Sequence, residues 1–213
     1  GFLYGDTVFE TLRTYNGTLF ALDEHMRRLQ QSAGLLSIPL PMAPAELGAA
    51  AEKAVAEAAN QESYCRIIVS RGSGPLGLDT SCAGQPLWVM LVEPLPEPDP
   101  RIAAEGLTAM CVQTVRASDA AHSAKLGNYL ASALALRDAR AAGFDEALVV
   151  NQRSQVVEGT TSNVFSTMGN VIATPPDDAG ILSGITRGVI IEIAQQVGYQ
   201  VEYRAHTPIQ LLQ

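Results

Sequence analysis

The sequence predicts an α/β (α+β) fold that is divided into two domains. Patterns typical of strands alternate with patterns typical of helices along the whole chain. The 213 residues, of which 47% are hydrophobic, suffice for one large core or two small ones. A stretch with four prolines, residues 93–101, is the best candidate for a linker. We therefore expect an N-terminal domain over 1–93, a linker region over 94–106 and a second domain over 107–213.

In the first domain, β-branched and aromatic residues mark the strands and apolar periodicity marks the helices. The predicted strands are 7–14, 18–21, 64–70 and 87–92. Asn16 and Gly17 are typical of a tight hairpin turn between the first two. One helix is predicted over 24–36 with Asp23 as its N-cap, and an alanine-rich helix is predicted over 45–59.

The second domain is expected to contain short strands and two helices. The predicted strands are 107–115, 147–150, 156–157, 164–166, 171–173 and 200–204. A helix over 130–142 is predicted to end at Gly143, and a helix over 184–197 is predicted to end at Gly198. Ser183 is the candidate N-cap of the latter helix.

Composition and charge exclude several classes of protein. The formal net charge of −8 disfavours binding to a phosphate backbone, so no nucleic-acid partner is expected. No apolar run approaches the ~18 residues of a membrane helix and no signal peptide is visible, so no membrane partner is expected and the cytoplasm is the default location. The three cysteines lack C-x-x-C spacing and the three histidines are scattered, so no metal site is predicted.

Three glycines, Gly72, Gly74 and Gly77, match the spacing G-x-G-x-x-G. A dinucleotide-binding fingerprint needs a helix that opens at the third glycine. Here Pro75 interrupts the motif and no helical pattern follows. The segment is therefore predicted to be a flexible loop.

The chain contains only two lysines, so any chemistry that needs an amine is restricted to them. Lys53 lies in a helical pattern with Glu57 four residues later, which is typical of a solvated salt bridge. Lys125 lies among small and apolar residues without an adjacent acid. An apolar site favours the neutral amine that a Schiff base requires. From the residues alone, Lys125 is either a surface lysine or a catalytic amine.

Two further segments of the second half carry candidate chemistry. Glu158 begins the polar stretch EGTTSNVF, which is either a turn or a carboxylate held near a ligand. The stretch GILSGITR, 180–187, opens a helix, and helix N-termini bind phosphate through their N–H groups. An amine, an acid and an anion site are what a pyridoxal phosphate enzyme needs for the aldehyde, the pyridine nitrogen and the phosphate.

At these residues the sequence resembles the class IV aminotransferases, the fold type IV pyridoxal phosphate enzymes. That family includes branched-chain, D-amino-acid and (R)-selective amine transaminases and aminodeoxychorismate lyase. The resemblance rests on seven segments in the family's order: YGDTVFETLR (4–13), LDEHMRRLQQSA (22–33), SRGSGPLG (70–77), KLGNYLASALA (125–135), GFDEALVV (143–150), EGTTSNVF (158–165) and GILSGITR (180–187). It implies two α/β domains with the cofactor between them, usually in a homodimer.

The resemblance also implies roles for individual residues. Lys125 would form the internal aldimine with pyridoxal 5'-phosphate and carry the proton during transfer. Glu158 would keep the pyridine nitrogen protonated, and Arg28 would bind the phosphate, a task suited to the guanidinium fork. The other implied cofactor contacts are Tyr129, Thr161, Ser162, Ile185 and Thr186. The implied substrate contacts are Tyr4, Phe9 and Thr11.

The predicted function is transamination between an amino acid or amine and a 2-oxo acid. The loop 73–79 has no basic residue, unlike D-amino-acid enzymes of the family, and it lacks the second Arg-Gly of the lyases. The residues Thr161, Ser162 and Asn163 stand where branched-chain enzymes tend to have Gly-Glu-Asn. An amine or L-amino-acid transaminase is the first choice, and an aminodeoxychorismate lyase is the alternative.

Both ends of the sequence are abrupt in comparison with the family pattern. The chain begins in strand-like sequence without Met and stops at Gln213, so we expect a chain truncated at both ends with an incomplete second domain. This motivates a further alternative, a non-catalytic fragment that binds the cofactor or a partner chain.

Overall fold

The computed structural model describes residues 3–113 and 124–212. The chain divides into two compact units: Gly1–Glu97 with Ala124–Asn128, and Pro98–Ser123 with Tyr129–Gln213. The first change of unit falls between Glu97 and Pro98. The domain boundaries at 93 and 107 stay a prediction.

The first unit is a four-stranded antiparallel sheet with two helices packed against one face. Its elements are β1 (Thr7–Tyr15), β2 (Thr18–Leu19), α1 (Leu22–Leu35), α2 (Pro44–Ala58), β3 (Ser63–Ser70) and β4 (Leu87–Pro94). The strand order is β2-β1-β3-β4. In this register Phe9 pairs with Ile68 and Thr11 pairs with Arg66, so these four side chains share one face of the sheet. All six elements confirm the predicted ones, with ends shifted by a few residues.

The turn between β1 and β2 is the predicted tight hairpin. Asn16 and Gly17 both have positive φ, 51° and 74°, as a type I′ turn requires. The returning strand is shorter than expected because Ala21 adopts a left-handed conformation and directly precedes α1. Asp23 is therefore not the N-cap, and that prediction is wrong. Asp23 lies inside the first turn, where the helix dipole favours a carboxylate.

Alternation along the strands builds the core of the first unit. Val8 and Leu12 of β1 and Ile67 and Val69 of β3 are almost fully buried beneath the helices. Burial of such a side chain contributes about 1.5–3 kcal/mol. The polar residue Glu10 occupies the same inward-facing row of β1 and has no exposed surface.

The second unit contains two small mixed sheets. Its elements are α3 (Pro100–Glu105), β5 (Ala109–Gln113), α4 (Leu130–Ala141), β6 (Glu146–Val150), β7 (Val156–Gly159), β8 (Ser166–Met168), β9 (Val171–Thr174), α5 (Ile185–Gln196) and β10 (Gln200–Tyr203). One sheet has the order β5-β6-β7 and the other has the order β10-β9-β8. The pairs β5–β6 and β9–β10 are parallel, and the pairs β6–β7 and β8–β9 are antiparallel. Helix α4 packs its small residues Ala135 and Ala139 against Ala147 of β6.

Three features of the second unit differ from the predicted ones. The strand expected over 164–166 is displaced to β8, because Gly169, with φ of 56°, turns β8 back onto β9. Ser183 is not the N-cap of α5, since Gly184 holds that position with an extended backbone. The strand expected over 107–115 is shorter, and residues 114 and 115 lie outside the described part of the chain.

The glycine-rich stretch after β3 forms a close backbone crossing and not the start of a helix. Gly72 has φ of 113°, and a Cβ placed there would lie 2.1 Å from the carbonyl oxygen of Gln85. A Cβ on Gly74 would lie 2.7 Å from the carbonyl oxygen of Cys82. The regular structure that follows is a single 3-10 turn, Thr80–Cys82. The glycines are thus explained by crowding within the loop, as expected for a segment that is not a dinucleotide fingerprint.

No helix in the described ranges, 3–113 and 124–212, is both long and apolar enough to cross a membrane. The same ranges contain no group of three or more His, Cys, Asp or Glu that could hold a metal ion.

Candidate active site

The backbone of Lys125 is fixed in the first unit by hydrogen bonds to β1. The carbonyl oxygen of Lys125 accepts the Phe9 N–H at 3.1 Å, and the Gly127 N–H donates to the carbonyl oxygen of Thr7 at 2.9 Å. The Lys125 N–H donates to Oγ of Ser32 on α1 at 3.1 Å. A Cβ on Gly127 would lie 1.9 Å from Oγ1 of Thr7. The backbone at position 127 therefore approaches β1 more closely than any residue with a side chain would allow.

The side chain of Lys125 is half-buried over an aromatic ring. Its Nζ lies 4.7 Å from the centre of the Phe9 ring, and Phe9 is buried. The guanidinium carbon of Arg66 also lies 4.7 Å from that ring centre, and Arg66 Nε donates to Oγ1 of Thr11 at 3.4 Å. The structure therefore brings the predicted residues Lys125, Phe9 and Thr11 together on one face of the sheet.

Sequence reasoning missed Arg66. The signal that could have found it is the alternation along β3, which places a basic residue on the face opposite to the buried Cys65 and Ile67. Tyr4, the third predicted substrate residue, lies before β1 with 51% of its surface exposed. The contacts described for Phe9 and Thr11 do not include Tyr4, so its role stays a prediction.

Arg28 lies on α1, one helical turn before Ser32, and is part of a buried charged cluster. Its Nε donates to Oε1 of Glu10 and its Nη2 donates to Oε2 of Glu10, both at 2.7 Å. Nδ1 of His25 lies 2.7 Å from the same Oε2. Burial raises the pKa of Glu10, but the hydrogen bonds and charges of Arg28 and His25 outweigh it and bring that pKa below its ordinary value. The carboxyl group of Glu10 is therefore ionised at neutral pH.

Glu158, near the end of β7, is a buried carboxylate of the second unit, with 4% of its surface exposed. Its Oε1 accepts the Leu182 N–H at 2.6 Å and Nδ2 of Asn163 at 3.3 Å. Asn163 Nδ2 also lies 2.8 Å from the carbonyl oxygen of Leu182. These contacts hold the carboxylate in one orientation, as a hydrogen-bonding partner for a ligand atom requires.

Thr161 and Ser162 are residues of the turn that follows β7, and both are exposed. The Gly159 N–H donates to the carbonyl oxygen of Ser162 at 2.8 Å, which closes the turn. Buried Thr160 donates its hydroxyl to Oε1 of Glu146 at 2.7 Å and ties the turn to β6. Both predicted residues thus lie within a few positions of Glu158 on a constrained turn.

Ile185 and Thr186 are the first two residues of α5. The N–H groups of a first helical turn have no acceptor within the helix and attract anions. Buried Arg187 anchors this end through bonds to Thr174 Oγ1 at 3.2 Å, the Pro175 carbonyl at 2.8 Å and Asp177 Oδ1 at 3.0 Å.

Gly184 lies directly before α5, and Tyr129 is the remaining predicted residue of the second unit. A Cβ on Gly184 would lie 2.0 Å from Oδ1 of Asn163, so α5 begins in close contact with the residue that holds Glu158. Tyr129 is half-buried and directly precedes α4 as its N-cap residue.

The chemistry of these groups fits pyridoxal phosphate. The first unit contains an amine, Lys125, and a guanidinium, Arg28, whose positive charge suits a phosphate. The second unit supplies a buried, oriented carboxylate, Glu158, and the N-terminus of a twelve-residue helix with a hydroxyl at Thr186. Lys53, by contrast, is an exposed helix residue 3.8 Å from Oε1 of Glu57, as the sequence predicts. Lys125 is therefore the better candidate for the reactive amine.

Comparison with known proteins relates this arrangement to a family. The family model described as "Amino-transferase class IV" matches residues 7–213. A Methanocaldococcus jannaschii protein assigned as a branched-chain-amino-acid aminotransferase is 39% identical over 203 residues, which are 94% of this chain and 69% of that protein. Aminodeoxychorismate lyase of Bacillus subtilis is 31% identical over 206 residues, which are 95% of this chain and 69% of that protein.

Solved structures agree with the sequence matches. A branched-chain amino acid aminotransferase complexed with N-(5'-phosphopyridoxyl)-L-glutamate superposes with a TM-score of 0.88 at 31% identity. The similarity covers 99% of this chain and 70% of that chain. The branched-chain aminotransferase of the archaeon Thermoproteus uzoniensis, solved with norvaline, has a TM-score of 0.88 at 32% identity and covers 98% of this chain and 71% of that chain. The expected fold class and cofactor are thereby confirmed. The chain belongs to the class IV aminotransferase family and is a pyridoxal-phosphate-dependent enzyme.

Proposed function

We propose that this enzyme transfers the amino group of a branched-chain L-amino acid to a 2-oxo acid, with Lys125 as its catalytic residue. The observation that carries the proposal is the position of Lys125. Its backbone is bonded to β1 and α1, and its amine lies over the buried ring of Phe9. The similarity to the Methanocaldococcus protein and the absence of basic residues from the loop 73–79 support the choice of substrate.

Bound pyridoxal phosphate would supply an aldehyde that takes an amine and a ring that withdraws electrons from the substrate. Lys125 would hold the cofactor by its Nζ and then, once released, move the proton at the substrate's α-carbon. Glu158 would hold a proton on the pyridine nitrogen, because the bonds from Leu182 and Asn163 fix its carboxylate. Phe9 and Thr11, with Tyr4, would contact the substrate.

The remaining predicted residues would hold the cofactor in place. Arg28 and the N–H groups of Ile185 and Thr186 would bind the phosphate, with the Thr186 hydroxyl as a further donor. Tyr129 would contact the side of the ring that carries the hydroxyl. Thr161 and Ser162 would line the cofactor from the turn after β7.

The test is an absorption spectrum with pyridoxal phosphate, recorded before and after the addition of L-leucine, L-isoleucine, D-alanine or (R)-phenylethylamine. We expect a cofactor band that responds to the branched-chain L-amino acids. Borohydride reduction followed by peptide mapping should place the label on Lys125. Lys125→Ala should remove the label, and Lys53→Ala, a change of the exposed lysine, should leave it unchanged. A label that persists in Lys125→Ala would contradict the assignment.

The alternative is a lyase of the same family that releases pyruvate from aminodeoxychorismate. The 31% identity to the Bacillus subtilis lyase favours it. Pyruvate release from that substrate without any amino acceptor, combined with no response to branched-chain amino acids, would establish the lyase and overturn the transaminase.

We also propose that the enzyme acts as a homodimer in the cytoplasm. The family resemblance supports the dimer, and the free thiols Cys65, Cys82 and Cys111 are typical of a reducing compartment. Sedimentation equilibrium of the purified enzyme tests the dimer, and a mass equal to that of one chain at micromolar concentration would contradict it.

A further inference from the structure

Glu10 is a charged residue in the middle of an apolar core, and the proposed catalysis does not by itself require a carboxylate there. It lies between Val8 and Leu12 in the inward-facing row of β1 and has no exposed surface. A buried carboxylate destabilises a fold unless it is paired and hydrogen-bonded. Its partners here are Arg28 and His25 of α1, each at 2.7 Å.

The geometry between Glu10 and Arg28 is a bidentate fork. Oε1 accepts from Nε and Oε2 accepts from Nη2, so both carboxylate oxygens are used on one edge of the guanidinium. This arrangement fixes the plane and the rotation of the guanidinium, which a single hydrogen bond would not do. Glu10 therefore occupies the edge of the guanidinium that is formed by Nε and Nη2.

His25 constrains the carboxylate in turn. Its Nδ1 lies 2.7 Å from Oε2 of Glu10, and His25 is itself buried. The three residues come from β1 and from one face of α1, at i and i+3. Each of them is therefore held by regular secondary structure as well as by its neighbour.

We propose that Glu10 is a positioning residue for the cofactor phosphate, which it serves by holding the guanidinium of Arg28 in the orientation that receives the anion. The proposal rests on the proposed function, in which Arg28 binds that phosphate. If Glu10 acted only through its charge, it would weaken the binding of the phosphate, because its negative charge cancels the positive charge of Arg28 and repels an anion. Positioning and electrostatics therefore predict opposite effects when Glu10 is neutralised.

The experiment measures the affinity of the apoenzyme for pyridoxal phosphate and for pyridoxal, which lacks the phosphate, by absorbance titration. Glu10→Asp keeps the charge and shortens the side chain by one methylene, so it disturbs the fork and the contact with His25 without removing the charge. We expect the dissociation constant for pyridoxal phosphate to rise about tenfold, as for the loss of one charge-assisted hydrogen bond, and that for pyridoxal to stay unchanged. Glu10→Gln should act in the same direction.

Arg28→Lys separates this inference from the proposed function. It should weaken the binding of pyridoxal phosphate and not that of pyridoxal. If Arg28→Lys changes neither, the assignment of Arg28 to the phosphate fails. If Arg28→Lys weakens the binding of pyridoxal phosphate while Glu10→Asp leaves it unchanged, or if Glu10→Gln tightens it, the positioning role of Glu10 is overturned.

Circular dichroism checks that each variant is folded. Should neither Glu10 variant fold, His25→Ala removes the hydrogen bond that orients the Glu10 carboxylate, so the fork to Arg28 loses its fixed geometry while both charges remain. A weaker affinity for pyridoxal phosphate, with an unchanged affinity for pyridoxal, then supports the proposal. An unchanged affinity for both overturns it.

Discussion

Gly184→Ala should destabilise the second unit, even though the backbone conformation at position 184 is one that any residue can adopt. The glycine has φ of −69° and ψ of 136°, so no conformational strain is involved. A Cβ would lie 2.0 Å from Oδ1 and 3.2 Å from Cγ of Asn163, whereas ordinary contacts begin near 3.4 Å. Asn163 would have to move by more than 1 Å, which is enough to break its bonds to Glu158 and to the carbonyl of Leu182.

The magnitude follows from those two bonds. Each hydrogen bond contributes about 0.5–1.5 kcal/mol, so the loss of both should cost about 2 kcal/mol once Asn163 has moved away from the added methyl group. For a protein of this size, that lowers the melting temperature by about 4–8 °C. Because Asn163 also holds Glu158, the affinity for pyridoxal phosphate should fall as well.

Gly188→Ala is the matched control, one helical turn further along α5. A Cβ there meets no atom within 4 Å in the described structure, and alanine is the better helix former by about 0.8–1 kcal/mol. The two glycine-to-alanine changes should therefore shift the melting temperature in opposite directions, as followed by circular dichroism. If Gly184→Ala proves as stable as the unchanged protein, the close approach of Asn163 is wrong and the proposed support of Glu158 is wrong with it.

Other predictions concern the core, the thiols and the acid limit of stability. Leu12→Ala should cost about 2–5 kcal/mol in urea unfolding, because Leu12 is 2% exposed, while Leu76→Ala, at an 84% exposed site, should change stability little. Burial raises the pKa of the Cys65 thiol to about 11, so iodoacetamide at pH 8 should label exposed Cys82 and spare Cys65 in the folded protein; labelling at equal rates would contradict this. Hydrogen bonds from Thr108 and Arg101 lower the pKa of Asp145 to about 2, so its contribution to stability is complete above about pH 4 and is lost as the pH falls towards 2. Replacing it with Asn should therefore reduce the melting temperature at about pH 6 more than at about pH 3, and equal reductions would refute the assignment.

Local patterns predicted most of the fold. The hairpin at Asn16 and Gly17 follows from the positive φ that both residues tolerate. The buried strand β3 follows from its alternation, and the ends of α4 and α5 follow from Gly143 and Gly198, which both have positive φ. Such signals lie within a few residues of the feature that they specify, so they can be read without knowledge of distant contacts.

Features that depend on distant residues were not predictable in this way. Glu10 interrupts an apolar row, and only its contact with α1 explains why a carboxylate is tolerated there. Alternation along β3 places Arg66 on the outward face, but its position beside Thr11 and Phe9 follows only from the strand register and from its contact with the Phe9 ring. Ser183 satisfies the composition rule for an N-cap, but the approach of Asn163 fixes Gly184 at that position.

The assignment of Ala124–Asn128 to the first unit constrains the order in which the chain can fold during synthesis. The backbone of Lys125 bonds to Ser32, 93 positions earlier, and only the part Pro98–Ser123 of the chain between them belongs to the second unit. A ribosome must therefore extend the chain as far as Lys125 before the first sheet can gain the segment Ala124–Asn128. Closing so long a loop slows folding more than it reduces stability. Until that happens, the N–H of Phe9 and the carbonyl of Thr7 lack the backbone partners that Lys125 and Gly127 provide in the folded protein.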